Sequence, residues 1–365
     1  MPAPVIDWIV AEWVAGLIAG RGDSAMAGVS GIDLRPLAAD AERRVVQYTG
    51  LVPAGPIPVP EGVSRREWTA SNIASTRAMI EPMLERTAAK LGPGKAAGRL
   101  WLGVMSSAEI GLLIGYMGQR VLGQYELLLM GERDAGEERD AANGHDPPPE
   151  PRLLFVLPNL DEAVQKFEAD DLEFVTWVTL HEVTHAVQFG GVPWLQDYLA
   201  SLVRQLMDSA ERRMELRRQL HLPRREDLKR VGRAALHGDL MGMLATDSER
   251  ATIDKAQAVM AVIEGHAEHV MDAVAPELLP TLPDLRQALD RRRRSQSGLS
   301  KYISRLLGME MKLRQYQQGK AFCDAIVADA GTAALRHVFS APEALPTLDE
   351  VEHPQAWLSR CRDEL

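Results

Sequence analysis

Hydrophobic positions along most of this chain recur every three or four residues, which is the spacing of one face of an α-helix. Stretches with this spacing predict helices at residues 1–20, 34–48, 68–91, 106–119, 170–189, 194–217, 226–244, 247–275, 311–330 and 353–362. Two short apolar stretches, 124–130 and 152–157, lie between turn residues and are predicted as strands. Residues 51–62 are rich in proline and glycine, which predicts an extended surface connection. The pattern therefore predicts a mainly α fold with a small β-sheet, in the α+β class.

One predicted helix carries a pattern with chemical meaning, His-Glu-Val-Thr-His, beginning at His181. Asp170 or Asp171 can cap the start of this helix, and the glycines that begin at Gly190 predict its end. Positions four apart share a helix face, so His181 and His185 can direct two imidazoles at one point. Neutral imidazole is a good zinc ligand, and the pair therefore predicts a Zn²⁺ site. Glu182 lies beside that point and can act as general base toward a zinc-activated water.

A second helical segment offers the third ligand that a catalytic zinc site commonly needs. We predict Glu264 as this ligand, with Glu268 one turn later on the same face. Two carboxylates on the inner side of a helix are costly unless a positive group receives them, and a zinc ion would. Glu268 is predicted to accept a hydrogen bond from a ligand histidine, His181, and so to fix its tautomer. His266 or His269 could be the third ligand instead, or the helix could simply be a charged one.

Composition limits the class of protein. The chain has 365 residues, of which 46% are apolar and 25% charged, so it can bury a sizeable core as an ordinary soluble protein. We expect an N-terminal helical region over residues 1–100 and a catalytic region over residues 101–365, packed as one compact unit. The net charge of −10 argues against a nucleic-acid partner.

The cysteines and the first helix bear on the location of the protein. Cys323 and Cys361 are too few for a disulfide framework, which indicates a reducing cytoplasm. No apolar stretch is long enough to span a bilayer. Trp8 and Trp13 lie in an amphipathic first helix whose polar face lacks basic residues, so core packing is favoured over a membrane-surface role.

The segment between the two predicted strands, residues 131–151, is acidic and rich in glycine and proline, which predicts a loop. A strand directly before a zinc-binding helix can serve as the edge on which a peptide substrate aligns by strand addition. The two strands could instead form a purely structural hairpin.

The segments that begin at His181 and Glu264 resemble those of the zincin clan and, within it, the gluzincins. His-Glu-x-x-His at 181–185 and Glu-Gly-x-Ala-Glu at 264–268 match the pattern of that branch. Nearly the whole chain is similar to a bacterial family of zincin-like proteins that are labelled as hydrolases or as associated with deazaflavin-coenzyme biosynthesis. The resemblance implies a zincin-like metallopeptidase core with extra helices.

The same resemblance implies one further catalytic residue, because gluzincins often place a Tyr or His where it can donate to the oxyanion. The Tyr-x-x-Gly at 316–319 makes Tyr316 the candidate donor, although a tyrosine packed in the core is the alternative. Arg314 or Lys320, close to it in sequence, could instead bind a substrate carboxylate.

These residues together predict a zinc-dependent hydrolase, and specifically a metallopeptidase that acts on a peptide or protein substrate. Glu182 would take a proton from the attacking water and deliver it to the leaving amine. A catalytically inactive zinc-binding scaffold that binds partners is the alternative, and a hydrolase of non-peptide amides is a third reading. The intact Glu182 argues against the scaffold, because a purely structural zinc site needs no base.

Overall fold

The computed structural model describes residues 6–20, 28–90, 96–126, 150–219, 246–279 and 309–365. These residues are mostly helical with one small sheet, which confirms the predicted α+β class. The described strands are β1 (Pro60–Val63), β2 (Gly123–Glu126) and β3 (Arg152–Val156). The described α-helices are α1 (Trp8–Ala19), α2 (Leu34–Thr49), α3 (Arg65–Lys90), α4 (Ala96–Gly118), α5 (Leu157–Phe167), α6 (Asp171–Gly191), α7 (Pro193–Gln219), α8 (Asp247–Val274), α9 (Met309–His337), α10 (Leu348–Glu352) and α11 (Pro354–Arg360).

The chain divides into two compact units. The first comprises residues 1–40 and 56–186, and the second comprises residues 41–55 and 187–365. The predicted division into residues 1–100 and 101–365 stays a prediction. Among the described helices, none combines the length and the apolar character that a membrane crossing requires.

The sheet of the first unit has β3 as its middle strand. β3 pairs in parallel with β1 and antiparallel with β2, and its residues 153–156 are fully buried. A middle strand has hydrogen bonds on both sides and cannot accept a further strand. The expectation that the strand directly before the motif helix offers a free edge is therefore wrong for β3. In the described part of the sheet the edge strands are β1 and β2.

β1 and α5 differ from the sequence-based expectation. β1 lies at the end of the stretch 51–62, which was expected to be an extended surface connection, and here the extended segment pairs as a strand with Val63 buried. α5 has a proline in its first turn and ends at Glu168, which adopts a left-handed conformation with φ 52°. Proline at the start is favourable because the first helical N–H has no intrahelical partner.

Helix α1 packs against α4 through small residues. Ala11 and Ala15 are fully buried, and a Cβ added at Gly115 of α4 would lie 2.9 Å from the carbonyl oxygen of Ala15. Trp8 is buried, whereas Trp13 is 65% exposed. The expected core packing of this helix is thus confirmed for the face that meets α4. The position of Trp13 follows from helix geometry, because it lies about 200° around the helix from Ala11.

Helices α8 and α9 pack together in the second unit. α9 contains a break at Gly331, with φ 80° and ψ 176°, where the predicted helix 311–330 was expected to end. Cys323 on α9 and Cys361 after α11 are both buried free thiols. Burial raises the pKa of the Cys323 thiol, and the neighbouring carboxylate of Asp324 raises it further.

Three predictions fall on parts of the chain that are not described. They are the helix 226–244, the last residues of the predicted strand 124–130, and nearly all of the loop 131–151.

Candidate metal centre

Helix α6 holds the His-Glu-x-x-His pattern between two well-defined ends. The Asp170 side chain accepts a hydrogen bond from the backbone N–H of Glu173 at 2.9 Å, which satisfies one of the first N–H groups of the helix. At the other end the carbonyl of Gly190 accepts a hydrogen bond from Ala54 N–H at 3.1 Å. Asp170, one of the two expected cap residues, is the one observed, and the helix continues through Gly191, two residues past the predicted end at 189.

The two imidazoles of α6 point at one place. Nε2 of His181 and Nε2 of His185 lie 3.3 Å apart, and the two rings are nearly perpendicular, at 89°. Two nitrogens bound to one tetrahedral zinc at about 2.05 Å would lie about 3.3 to 3.4 Å apart, the edge of that tetrahedron. The observed separation therefore fits a shared metal ion.

The protonation state of His181 also suits a metal ligand. Burial lowers the pKa of His181 to about 3, and the neighbouring His185 contributes in the same direction. A histidine with so low a pKa is neutral near pH 7 and presents a lone pair without first losing a proton.

A carboxylate joins the two imidazoles. One ligand atom each from His181, His185 and Glu264 can be chosen so that all three lie within 4.8 Å of one another. Two imidazoles and one carboxylate form a donor set that catalytic zinc sites use, with a position left for water or substrate. The donor set present is therefore the right one for zinc, and the described part of the chain contains this single group of metal-ligand type.

Helix α8, which carries Glu264, is well defined at its start. Thr246 and Glu249 form a reciprocal capping box, in which each side chain accepts a hydrogen bond from the other residue's N–H. Such a box satisfies two otherwise unpaired N–H groups and sets where the helix begins.

The two histidines considered as alternative ligands have other partners. Both ring nitrogens of His269 are used, since Nε2 lies 2.8 Å from the Tyr48 hydroxyl and Nδ1 lies 2.6 Å from Asp324. The ring of His266 packs edge-on against Phe339, with 5.0 Å between the ring centroids. Among the described residues, the cluster of possible ligands contains Glu264 and neither of these histidines.

The candidate general base, Glu182, is held by strand β2. Its Oε2 accepts a hydrogen bond from the backbone N–H of Tyr125 at 3.0 Å, and the side chain is buried. Tyr125 lies opposite Leu153 in a pair that is not hydrogen-bonded between β2 and β3, so its N–H points away from β3. A Cβ at Gly123 would lie only 2.6 Å from Cγ of Glu182, so glycine is what lets the strand approach.

Sequence reasoning missed Gly123 and Tyr125 as parts of the site. The available signal was a glycine at the start of a predicted strand, which often marks the close approach of another group. The glycine alone does not identify the glutamate that approaches it.

The remaining predicted site residues have mixed outcomes. Glu268 lies half-buried on α8, one turn after Glu264, and its hydrogen bond to a ligand histidine stays a prediction. Tyr316 lies within α9, but its side chain is outside the described part of the chain. Lys320 contacts the carboxylates of Asp272 at 3.0 Å and Asp324 at 2.5 Å. Its charge is thereby neutralised, which disfavours the alternative that it binds a substrate carboxylate.

Comparison with known proteins gives two matches. A family described as zincin-like metallopeptidase matches residues 6–358. The chain is also similar to a protein of known crystal structure from Chloroflexus aurantiacus, described as "a putative hydrolase with a novel fold", with 29% sequence identity and a TM-score of 0.68. That alignment covers 98% of this chain and 99% of the other. No curated protein matches the chain.

Proposed function

The chain belongs to the zincin-like metallopeptidase family, and from that premise we propose that it is a zinc-dependent hydrolase of the gluzincin type that cleaves peptide bonds. The observation that carries this proposal is the 3.3 Å separation of the His181 and His185 Nε2 atoms, with Glu182 between them in sequence. The cluster that these imidazoles form with Glu264 supports it further.

The proposed roles follow from the donor atoms present. His181, His185 and Glu264 would hold the zinc ion. When bound, zinc supplies Lewis-acid chemistry, since it lowers the pKa of water to about 7 and polarises a carbonyl. Glu182 takes a proton from the attacking water and passes it to the leaving amine. The Tyr125 N–H keeps the carboxylate in place at 3.0 Å, and an ionised carboxylate has further capacity to accept a proton.

Strand β2 is the edge on which we propose that the peptide substrate aligns. The backbone groups of Gly123 and Tyr125 point away from β3, toward the side where Glu182 lies. An extended peptide paired with this edge would place its carbonyl groups along the general base. The other backbone groups at this edge would give sequence-independent affinity, because backbone hydrogen bonds recognise no side chain.

We propose that the protein acts in the cytoplasm on peptides or proteins. The two cysteines are free thiols in the described structure, which suits a reducing compartment. The association with deazaflavin-coenzyme biosynthesis stays an expectation from resemblance.

The test combines metal content with cleavage of a mixed peptide library. Wild-type protein should bind one zinc ion per chain and cleave peptides, and a chelator should abolish cleavage until zinc is restored. Glu182→Gln should keep zinc but lose cleavage by about 10²- to 10⁴-fold, the usual contribution of a general base. Glu109→Gln, the same substitution at an exposed position of α4, is the matched control and should cleave normally.

Two results would overturn the proposal in different ways. Cleavage that persists in Glu182→Gln would remove Glu182 from its role. A wild-type protein with full zinc occupancy and no cleavage would be a non-catalytic zinc-binding protein.

A further inference from the structure

Helices α8 and α9 meet through two glycines, and this contact lies directly beside the proposed metal carboxylate. A Cβ placed on Gly265 of α8 would collide with the backbone carbonyl of Gly319 on α9. A Cβ placed on Gly319 would in turn collide with the carbonyl of Ala261, one turn earlier on α8. The two backbones are therefore in direct contact, and no other residue type fits at either position. Gly265 costs about 1 kcal/mol in a helix interior relative to alanine, so this close approach gives it a reason.

A polar clamp holds the same two helices further along. Lys320, the residue after Gly319, bridges Asp272 of α8 and Asp324 of α9. The other carboxylate oxygen of Asp324 forms a hydrogen bond with Nδ1 of His269 at 2.6 Å. On α8 the clamp residues His269 and Asp272 lie between one and two turns after Gly265, so α8 is fixed at two points. A helix fixed at two points can neither turn about its axis nor slide along its partner without breaking one of them.

From these contacts we infer that Gly265 and Gly319 are positioning residues for Glu264. Glu264 immediately precedes Gly265, so the direction of its side chain is set by the rotation of α8 at the crossing. α9 contributes none of the three clustered ligand atoms, yet it determines where the carboxylate of the cluster points. The inference rests on the proposed function, because it assumes that Glu264 binds the metal.

A small rotation of α8 would displace the Glu264 carboxylate by more than a metal–ligand bond tolerates. The end of a helical side chain lies about 5 to 6 Å from the helix axis, so a rotation of about 10° moves it by about 1 Å. Metal–ligand distances tolerate only about 0.2 Å. A methyl group inserted at the crossing would force a larger displacement than the metal accepts.

The experiment measures zinc affinity by competition with a chromophoric chelator. Gly265→Ala should weaken zinc binding by about 10- to 100-fold, the loss typical of residues that orient metal ligands. Gly115→Ala is the matched control, because its Cβ also meets a helix backbone, at 2.9 Å, but no proposed ligand adjoins it. The control should lose stability and keep wild-type zinc affinity. Glu264→Gln gives the reference value for loss of the carboxylate itself.

A cobalt spectrum separates a displaced ligand from general damage. In the Co²⁺-substituted protein, the visible absorption of Gly265→Ala should shift toward that of Glu264→Gln, while that of Gly115→Ala should match wild type. Both readouts require folded protein, which circular dichroism and the thermal midpoint establish. Wild-type zinc affinity and spectrum in a folded Gly265→Ala protein would overturn the inference.

A second variant covers the case in which Gly265→Ala does not fold. Lys320→Met removes the clamp charge without inserting any atom at the crossing. It should weaken zinc binding by about threefold or more, which is a fraction of the effect of losing a residue that orients a metal ligand. Unchanged affinity in Lys320→Met would then overturn the inference. A wild-type protein that binds no zinc would instead overturn the proposed function, and the inference with it.

Discussion

Replacing Gly123 by alanine should disable the general base while leaving the metal ligands in place. The added Cβ would lie 2.6 Å from Cγ of Glu182 and 3.0 Å from its Oε1, whereas ordinary contact begins at 3.4 Å. Glu182 must therefore move by about 0.8 Å, the difference between 3.4 and 2.6 Å. A misplacement of about 1 Å can cost about 100-fold in rate. We expect kcat/KM to fall by about this factor.

The assay compares peptide cleavage with zinc affinity in the same preparations. Zinc affinity should stay at the wild-type value, because the three atoms nearest to the new methyl all belong to Glu182. Gly55→Ala is the control, since its Cβ would meet nothing within 4 Å, and it should cleave as wild type does. A folded Gly123→Ala protein with wild-type kcat/KM would refute the reasoning that β2 holds the base.

Two further predictions concern the stability of the second unit. Trp357 is fully buried and donates through Nε1 to the carbonyl of Ala344 at 2.7 Å, so Trp357→Phe should cost about 1 to 3 kcal/mol by leaving that carbonyl unpaired. Urea unfolding measures the loss, and an unchanged midpoint would contradict it. Burial alone would raise the pKa of Glu350, but hydrogen bonds from Arg360 and Thr347 outweigh it and lower the pKa. Glu350 therefore stabilises the fold above its unfolded pKa of about 4.3, and this contribution is lost as pH falls through the lower folded value. The difference in free energy of unfolding between wild type and Glu350→Gln should accordingly shrink from pH 7 to pH 3, and an equal difference at both pH values would contradict the assignment.

Sequence patterns predicted the motif helix well because its signals are local. An aspartate cap, an apolar stripe and a double glycine lie within about twenty residues, and α6 runs from Asp171 to Gly191. Its two histidines share a face for the same local reason. The choice of Glu264 needed only the cost of a buried carboxylate and the preference of zinc for such a ligand.

The parts that escaped prediction depend on contacts between distant residues. β1 has four residues, among them a proline and a glycine, and becomes a strand because it pairs with β3. The contact between Gly123 and Glu182 joins residues 59 positions apart, so no local pattern reveals it. Trp13 is exposed because the alanine face of α1 is the one that meets α4, and the sequence of α1 alone does not tell which face its partner helix covers.

The reactivity of the buried Cys323 thiol depends on how tightly α9 is packed against its neighbours. Only a thiolate reacts readily with alkylating reagents, and Cys323 is both fully buried and raised in pKa by burial. Reaction at this cysteine therefore requires that α9 first separate from its neighbours. The rate of alkylation in the native protein would then measure how often the helix that carries Gly319 opens.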